Sequence, residues 1–155
     1  MEYIQQARGE FEGCLFCDSL QRGDDADALI LHRGDHGFVL MNAYPYNPGH
    51  LMIAPIRHVG DPQDLSRDEL ADLGQLLQRS LRALTDEMHP DGFNIGMNLG
   101  RVAGAGVPDH LHWHVVPRWN GDTNFITVTG EMRVLPESLE DTYKKLLPRF
   151  TSHSA

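Results

Sequence analysis

Between residues 109 and 118 the chain reads Asp-His-Leu-His-Trp-His-Val-Val-Pro-Arg, and its chemistry is concentrated in the three histidines His110, His112 and His114. Alternate residues of an extended strand point to opposite faces, so the spacing predicts three imidazoles along one face, with Leu111, Trp113 and Val115 turned into the core. Such a row can accept, donate and hold protons near neutral pH. It suits two chemistries: a transition-metal site completed by water, and nucleophilic attack on phosphorus by a neutral imidazole, with its neighbours stabilising the phosphoryl oxygens and the leaving group. Spacing alone leaves both open. Further imidazoles stand upstream at His50 and His58.

Cys14 and Cys17 are the only cysteines in the chain. Separated by two residues, they could be a redox pair, half of a metal site, or core thiols. A thioredoxin-like role is disfavoured because the pattern around them does not open a helix within a βαβ unit. His32 and His36 flank a turn and read as solvated, and His89 falls at a helix end.

Several elements must position these groups. Residues 28–32, 37–42, 50–55, 93–98 and 110–118 read as strands, the first two forming a hairpin through Gly34 and Asp35. Residues 43–49 form a Pro/Gly loop. Ser66-Arg67-Asp68-Glu69 is a capping box that starts a helix, continued at helical spacing by Leu70, Leu73, Leu77, Leu81, Leu84 and Met88. Pro136 and Glu137 open a C-terminal helix carrying Leu139, Tyr143, Leu146 and Leu147. The expected fold is α+β: a five-stranded antiparallel sheet with one long helix on a face and a C-terminal helix.

The segment His110-Leu111-His112-Trp113-His114-Val115-Val116 matches the histidine triad (HIT) pattern, His-φ-His-φ-His-φ-φ, at every position. Asn42, Pro48-Gly49-His50 with the apolar run after it, and Asn98 precede it in the family's order. The chain therefore resembles the histidine triad family from about Phe11 to Trp119. Residues 117–125, Pro-Arg-Trp-Asn-Gly-Asp-Thr-Asn-Phe, are similar to the bacterial branch of diadenosine tetraphosphate phosphorylases and hydrolases. The resemblance implies one HIT domain over residues 1–155, with a core at about 11–125 and an extension at 126–155. It also implies cleavage of a dinucleoside polyphosphate at the α-phosphate through a nucleotidyl-histidine intermediate. His112 would be the nucleophile, His114 would bind phosphate and assist the leaving group, and His50 would orient the cluster. Asn98 would support the scissile phosphate and Asn42 the ribose hydroxyls. Phe16, Phe38 and Met41 are candidates for the adenine slot and equally for ordinary core.

The loop before the triad departs from the family. Where a Gln and a Ser or Thr are common, residues 104–109 read Gly-Ala-Gly-Val-Pro-Asp. Only backbone N–H groups, those of Gly106 and Val107 among them, remain to cradle an anion. The acceptor of the second step, water or inorganic phosphate, is thereby left open. Trp119 is kept, as in the phosphorylase-like branch. The resemblance further implies a structural zinc on Cys14, Cys17, His58 and His110, and a homodimer. The alternatives are a nucleoside phosphoramidase and a nucleotide- or zinc-binding adaptor without turnover.

Composition bounds the partners. With 13 Lys+Arg against 22 Asp+Glu, the formal charge of −9 argues against binding a nucleic-acid polymer, which needs a basic surface. One small phosphate ligand is compatible, because a pocket's local field can oppose the global one. No apolar run reaches the roughly 20 residues of a membrane helix, and the N-terminus has no signal-peptide profile. A cytoplasmic protein acting on an adenine nucleotide or dinucleoside polyphosphate is expected.

Overall fold

A sheet of five strands forms the frame of the computed structural model, which describes residues 13–122 and 137–151. Helix α1 (Leu15–Gln21) is followed by β1 (Ile30–Arg33), β2 (Gly37–Met41) and β3 (Leu51–Pro55), then α2 (Arg67–Met88), β4 (Gly92–Gly96), β5 (Trp113–Arg118) and α3 (Leu139–Thr151). The strand order is β1-β2-β3-β5-β4, and every neighbouring pair is antiparallel. The α+β fold expected from the sequence is present. Pro136, Thr123, Asn124 and Phe125 lie outside the described residues.

The capping box forms as read. Ser66 Oγ accepts from the Glu69 N–H at 3.2 Å, and the Glu69 carboxylate accepts from the Ser66 N–H at 2.7 Å. Arg57 then clamps the same carboxylate through two N–H groups at 2.8 and 3.0 Å, tying the segment after β3 to the helix start. The buried stripe of α2 differs from the expected one. It runs through Leu73, Leu76, Ser80, Ala83 and Leu84, while Leu70 is exposed. Gly37 makes the close approach possible, since a Cβ there would stand 2.7 Å from Leu73 Cδ2. Asp72 on α2 reaches back to accept from the N–H groups of His36 and Gly37, both at 2.8 Å, which fixes the β1–β2 turn.

Strand alternation divides the core in two. Val39, Met41, Leu51, Ile53 and Val115 pack against α2 and α3, whereas Phe38, Leu40, Met52 and Ala54 pack against α1 around Phe16. Met41 is therefore separated from Phe16 and Phe38 by the sheet, which corrects the grouping of all three around one base. His32 is also corrected. Rather than being solvated, it is half-buried, accepts from Arg79 Nη1 at 3.3 Å and packs on the Phe150 ring of α3. Burial, followed by the Arg79 charge, holds its pKa below the usual histidine value.

Two consequences for stability can be measured. Ser66→Ala removes the hydroxyl that satisfies the first turn and is expected to cost about 1 kcal/mol in a denaturant titration. The Arg57 guanidinium, then the Ser66 amide, hold Glu69 at a pKa of about 2, against an ordinary 4.5. A carboxyl lowered on folding stabilises fully above its unfolded pKa, and that stabilisation fades as pH falls from about 4.5 toward 2. Thermal melts of the wild type should fall across that window, and Glu69→Gln should flatten that fall.

Candidate active site and metal centre

β5 begins at Trp113, so the approach His110-Leu111-His112 is extended but outside the ladder, which shortens the expected strand of 110–118. β3 ends at Pro55, and beyond it the partner groups are single atoms of a loop. The Leu111 N–H donates to Val59 O at 2.7 Å, and His110 Nε2–H donates to Pro55 O at 2.8 Å. Because Nε2 carries the proton, the other nitrogen of His110, Nδ1, presents a lone pair. That lone pair faces Cys14 Sγ at 3.1 Å and Cys17 Sγ at 3.6 Å, and His58 Nδ1 lies 3.4 Å from Cys17 Sγ.

One ligand atom from each of Cys14, Cys17, His58 and His110 falls within 4.8 Å of all the others. Tetrahedral coordination at ordinary zinc bond lengths places sulfur and nitrogen ligands roughly 3.5 Å apart. The observed sulfur–nitrogen separations fit that spacing, and two thiols with two imidazoles form a closed set. Burial, then the neighbouring Cys14 thiol, pushes the Cys17 thiol up to about 11, so a cation is what would allow both sulfurs to ionise. The pair opens a helix, since Cys14 is the N-cap of α1. With every strand pair antiparallel, that helix belongs to no βαβ unit.

The remaining imidazoles are set by the same device. His112 is buried, and its Nδ1–H donates to His110 O at 2.9 Å, leaving Nε2 with a lone pair. The Tyr46 N–H donates to His50 Nδ1 at 3.1 Å, so the proton of His50 is on Nε2 and is donated to His114 Nδ1 at 2.9 Å. His114 therefore carries its own proton on Nε2. Burial lowers the pKa of His110, of His112 and of His114, the last to about 4 with the nearby His112 as the second cause. All three are neutral at pH 7. The site thus presents a bare imidazole nitrogen on His112 beside an N–H donor on His114, the ring centres 4.9 Å apart.

Phe16 is 1% exposed and Phe38 fully buried, and Phe16 packs on His112 and His110 with ring centres 4.7 and 5.1 Å away. Their burial supports the packing role for both. Asn42 Oδ1 accepts from the Tyr44 N–H at 2.9 Å, and its Nδ2 lies 3.4 Å from His50 Nδ1. A cavity of about 460 Å³ opens beside His114, with Tyr46, Asn94, Asn98 and Arg118 in its wall. Asn98 is half-buried there, and Arg118 is held by Asp122 and by Asn94 Oδ1. In the loop before the triad, Gly104 and Ala105 spend their N–H groups on Arg101 O and Gly100 O, while those of Gly106 and Val107 make no hydrogen bond among the described residues. Trp119 is half-buried, and its N–H donates to Asp122 at 3.2 Å.

Sequence reasoning missed Tyr46, whose ring is half-exposed and lies over His50 and His114 at 4.7 and 6.0 Å. The signal available was an aromatic four residues before His50 in a Pro/Gly loop. Buried Asn47 was missed as well: its Nδ2 donates to Pro117 O and to Asp122, locking that loop to the end of β5.

Fold and site together define a triad-bearing α+β domain, and comparison with known proteins agrees. The HIT domain family matches residues 24–121, and the chain belongs to that family. It is 46% identical over 122 residues to the AP-4-A phosphorylase of Mycobacterium tuberculosis, an alignment covering 79% of this chain and 63% of that protein. The chain thus accounts for less than two thirds of that relative's length. The crystal structure of a Zn-bound histidine triad family protein from Mycobacterium smegmatis superposes with a TM-score of 0.71 at 28% identity, covering 89% of this chain and 93% of that one. A histidine triad nucleotide-binding protein from Sulfolobus tokodaii gives 0.71 at 26%, covering 88% and 91%.

Elemental analysis of protein purified without added metal should find about one thiophilic divalent ion per chain. The double variant Cys14→Ser, Cys17→Ser should lose it, and full occupancy in that variant would dismiss the site.

Proposed function

We propose that this protein cleaves a dinucleoside polyphosphate of the diadenosine tetraphosphate class at its α-phosphate through a covalent nucleotide on His112. The observation that carries the reading is the tautomer of His112: its Nδ1–H is spent on His110 O, so Nε2 is the atom able to attack. The new bond is Nε2–phosphorus, and the bond that breaks joins the α-phosphorus to the bridging oxygen of the departing nucleotide. The Nε2–H of neutral His114 faces that oxygen and hydrogen-bonds to it, and the departing nucleotide leaves as a polyphosphate anion that needs no added proton. His50 and the Tyr46 amide keep the Nε2 proton of His114 in place. In the second step an acceptor oxygen attacks the same phosphorus and releases neutral His112. The free amides of Gly106 and Val107 stand where the Gln and hydroxyl side chains of other family members would act, and they bind non-bridging oxygens in their place. Asn98 supports the scissile phosphate, Asn42 the ribose, and Trp119 the nucleotide side of the site.

Similarity to the AP-4-A phosphorylase favours inorganic phosphate as the acceptor. The metal is read as zinc, supported by the Cys₂His₂ set and by the Zn-bound relative. Bound there, it would supply a rigid cross-link between α1, the segment after β3 and the entry to β5. A reducing cytoplasmic compartment suits two ligating thiols. A homodimer is supported by β4, an edge strand whose Ile95 is 46% exposed beside Leu99 and Val102.

The test is a rapid-quench mass spectrum of protein mixed with diadenosine tetraphosphate, which should show a transient adduct one AMP heavier. His112→Ala should abolish the adduct and lower turnover by on the order of 10⁴-fold or more, while AMP binding changes only a few-fold. With inorganic phosphate present, ADP plus ATP should form, and AMP plus ATP would instead assign water as the acceptor. Turnover retained in His112→Ala, with no adduct in either protein, would rule out the covalent route.

A further inference from the structure

Phe16 is one of the two residues between the cysteines, and it touches both centres of the site. Cys14 and Cys17 are three positions apart, so their sulfurs share one face of the first turn of α1, and both reach His110 Nδ1. The Phe16 ring lies against His110, a candidate metal ligand, and against His112, whose Nε2 faces the nucleotide. One side chain thus spans the wall between the metal centre and the reacting imidazole.

The element that carries this ring has little stability of its own. α1 is 7 residues long, below the length at which a helix persists in water, and its N-cap Cys14 makes no side-chain capping bond. Inside the turn, the Ser19 hydroxyl is turned back on Leu15 O, and the Asp18 N–H is spent on Cys14 O. What holds α1 in place is tertiary: Phe16 packing on Phe38 and the imidazoles, Arg33 reaching Leu20 O, and the two thiols against His110 and His58. A metal joining these thiols to the two imidazoles would fix the first turn and with it the ring behind His112. Ordering the turn costs conformational entropy, and two ligands that need the same ordered turn share that cost.

We propose that metal binding at Cys14, Cys17, His58 and His110 and nucleotide binding at His112 are energetically coupled, with Phe16 as the positioning residue that carries the coupling. The inference rests on the nucleotide reading of His112 given above. Linkage makes the coupling reciprocal: the factor by which metal tightens AMP is the factor by which AMP tightens metal. Metal affinity is therefore a readout that does not depend on turnover.

The measurement is a Zn²⁺ titration against a competing chelator, with and without saturating AMP, alongside calorimetry of AMP binding to metal-loaded and metal-free protein. In the wild type, AMP should tighten Zn²⁺ by roughly tenfold, with calorimetry returning the same factor. Phe16→Leu keeps most of the core volume while removing the ring face, so it should still bind Zn²⁺ but show coupling below about twofold. Phe38→Leu is the control. It alters a ring of the same core cluster that packs on Phe16, and it should keep the wild-type factor. Thermal melts verify that both variants fold.

Equal Zn²⁺ affinity with and without bound AMP in the wild type would overturn the coupling while leaving the nucleotide reading intact. Failure of AMP to bind either form would overturn the nucleotide reading and the coupling with it. Coupling that survives in Phe16→Leu, or that is lost equally in Phe38→Leu, would remove Phe16 from the role.

Discussion

Between Pro55 and His110, a carbonyl oxygen and an imidazole N–H meet at 2.8 Å inside the protein, and the functional face is arranged around that contact. It joins the last residue of β3 to the chain just before β5, where the sheet ladder has not yet started. By taking the Nε2 proton it aims the other nitrogen of His110 at the cysteine pair. By seating His110 it also fixes the carbonyl that receives His112 Nδ1–H. The orientation of the metal centre and that of the candidate nucleophile thus descend from one buried hydrogen bond. An unpaired imidazole N–H at full burial would be costly, so the arrangement is also the one that satisfies the polar groups present.

Each histidine of the cluster is governed in this way by a backbone group. Carbonyls take the protons of His110 and His112, and a backbone amide decides His50, which then decides His114. Backbone atoms do not titrate, so the tautomers hold across a wide range of pH. Burial adds to this by keeping the rings neutral. The chain carries a formal charge of −9, while the triad face offers a lone pair and an N–H donor side by side. A protein of strongly acidic composition can thereby present a site suited to one phosphate chain.

Other parts of the fold serve the same face at a distance. Asn47 fastens the Pro/Gly loop to the end of β5, which steadies Tyr46 over His50 and His114. On the opposite side of the sheet, α2 and α3 cover Val115 and the odd-numbered positions of β2, so the strand carrying the triad is supported from behind. The capping box and the Arg57–Glu69 pair join the segment that bears His58 to the start of α2.

A good part of this was legible in the amino-acid sequence. Local spacing determined the triad, the capping box at Ser66 and Glu69, the order of elements and the antiparallel α+β class, because each depends on residues within a few positions of one another. The four metal-ligand candidates, picked out by resemblance to the family, do converge. The tertiary structure alone decided the rest. Which nitrogen of His110 keeps its proton depends on the carbonyl of distant Pro55, and although the backbone partners of His112 and His50 lie two and four residues away, only the fold turns them toward the rings. Met41 sits on the far face because strand parity, counted from Phe38, places it there once the helices choose their side. Leu70 is exposed, and His32 is covered because Phe150 of α3 and Arg79 of α2 reach it, contacts that helical spacing does not record. Residue types along the chain specify which groups can react; the backbone that the fold turns toward them decides which atom is free to do so.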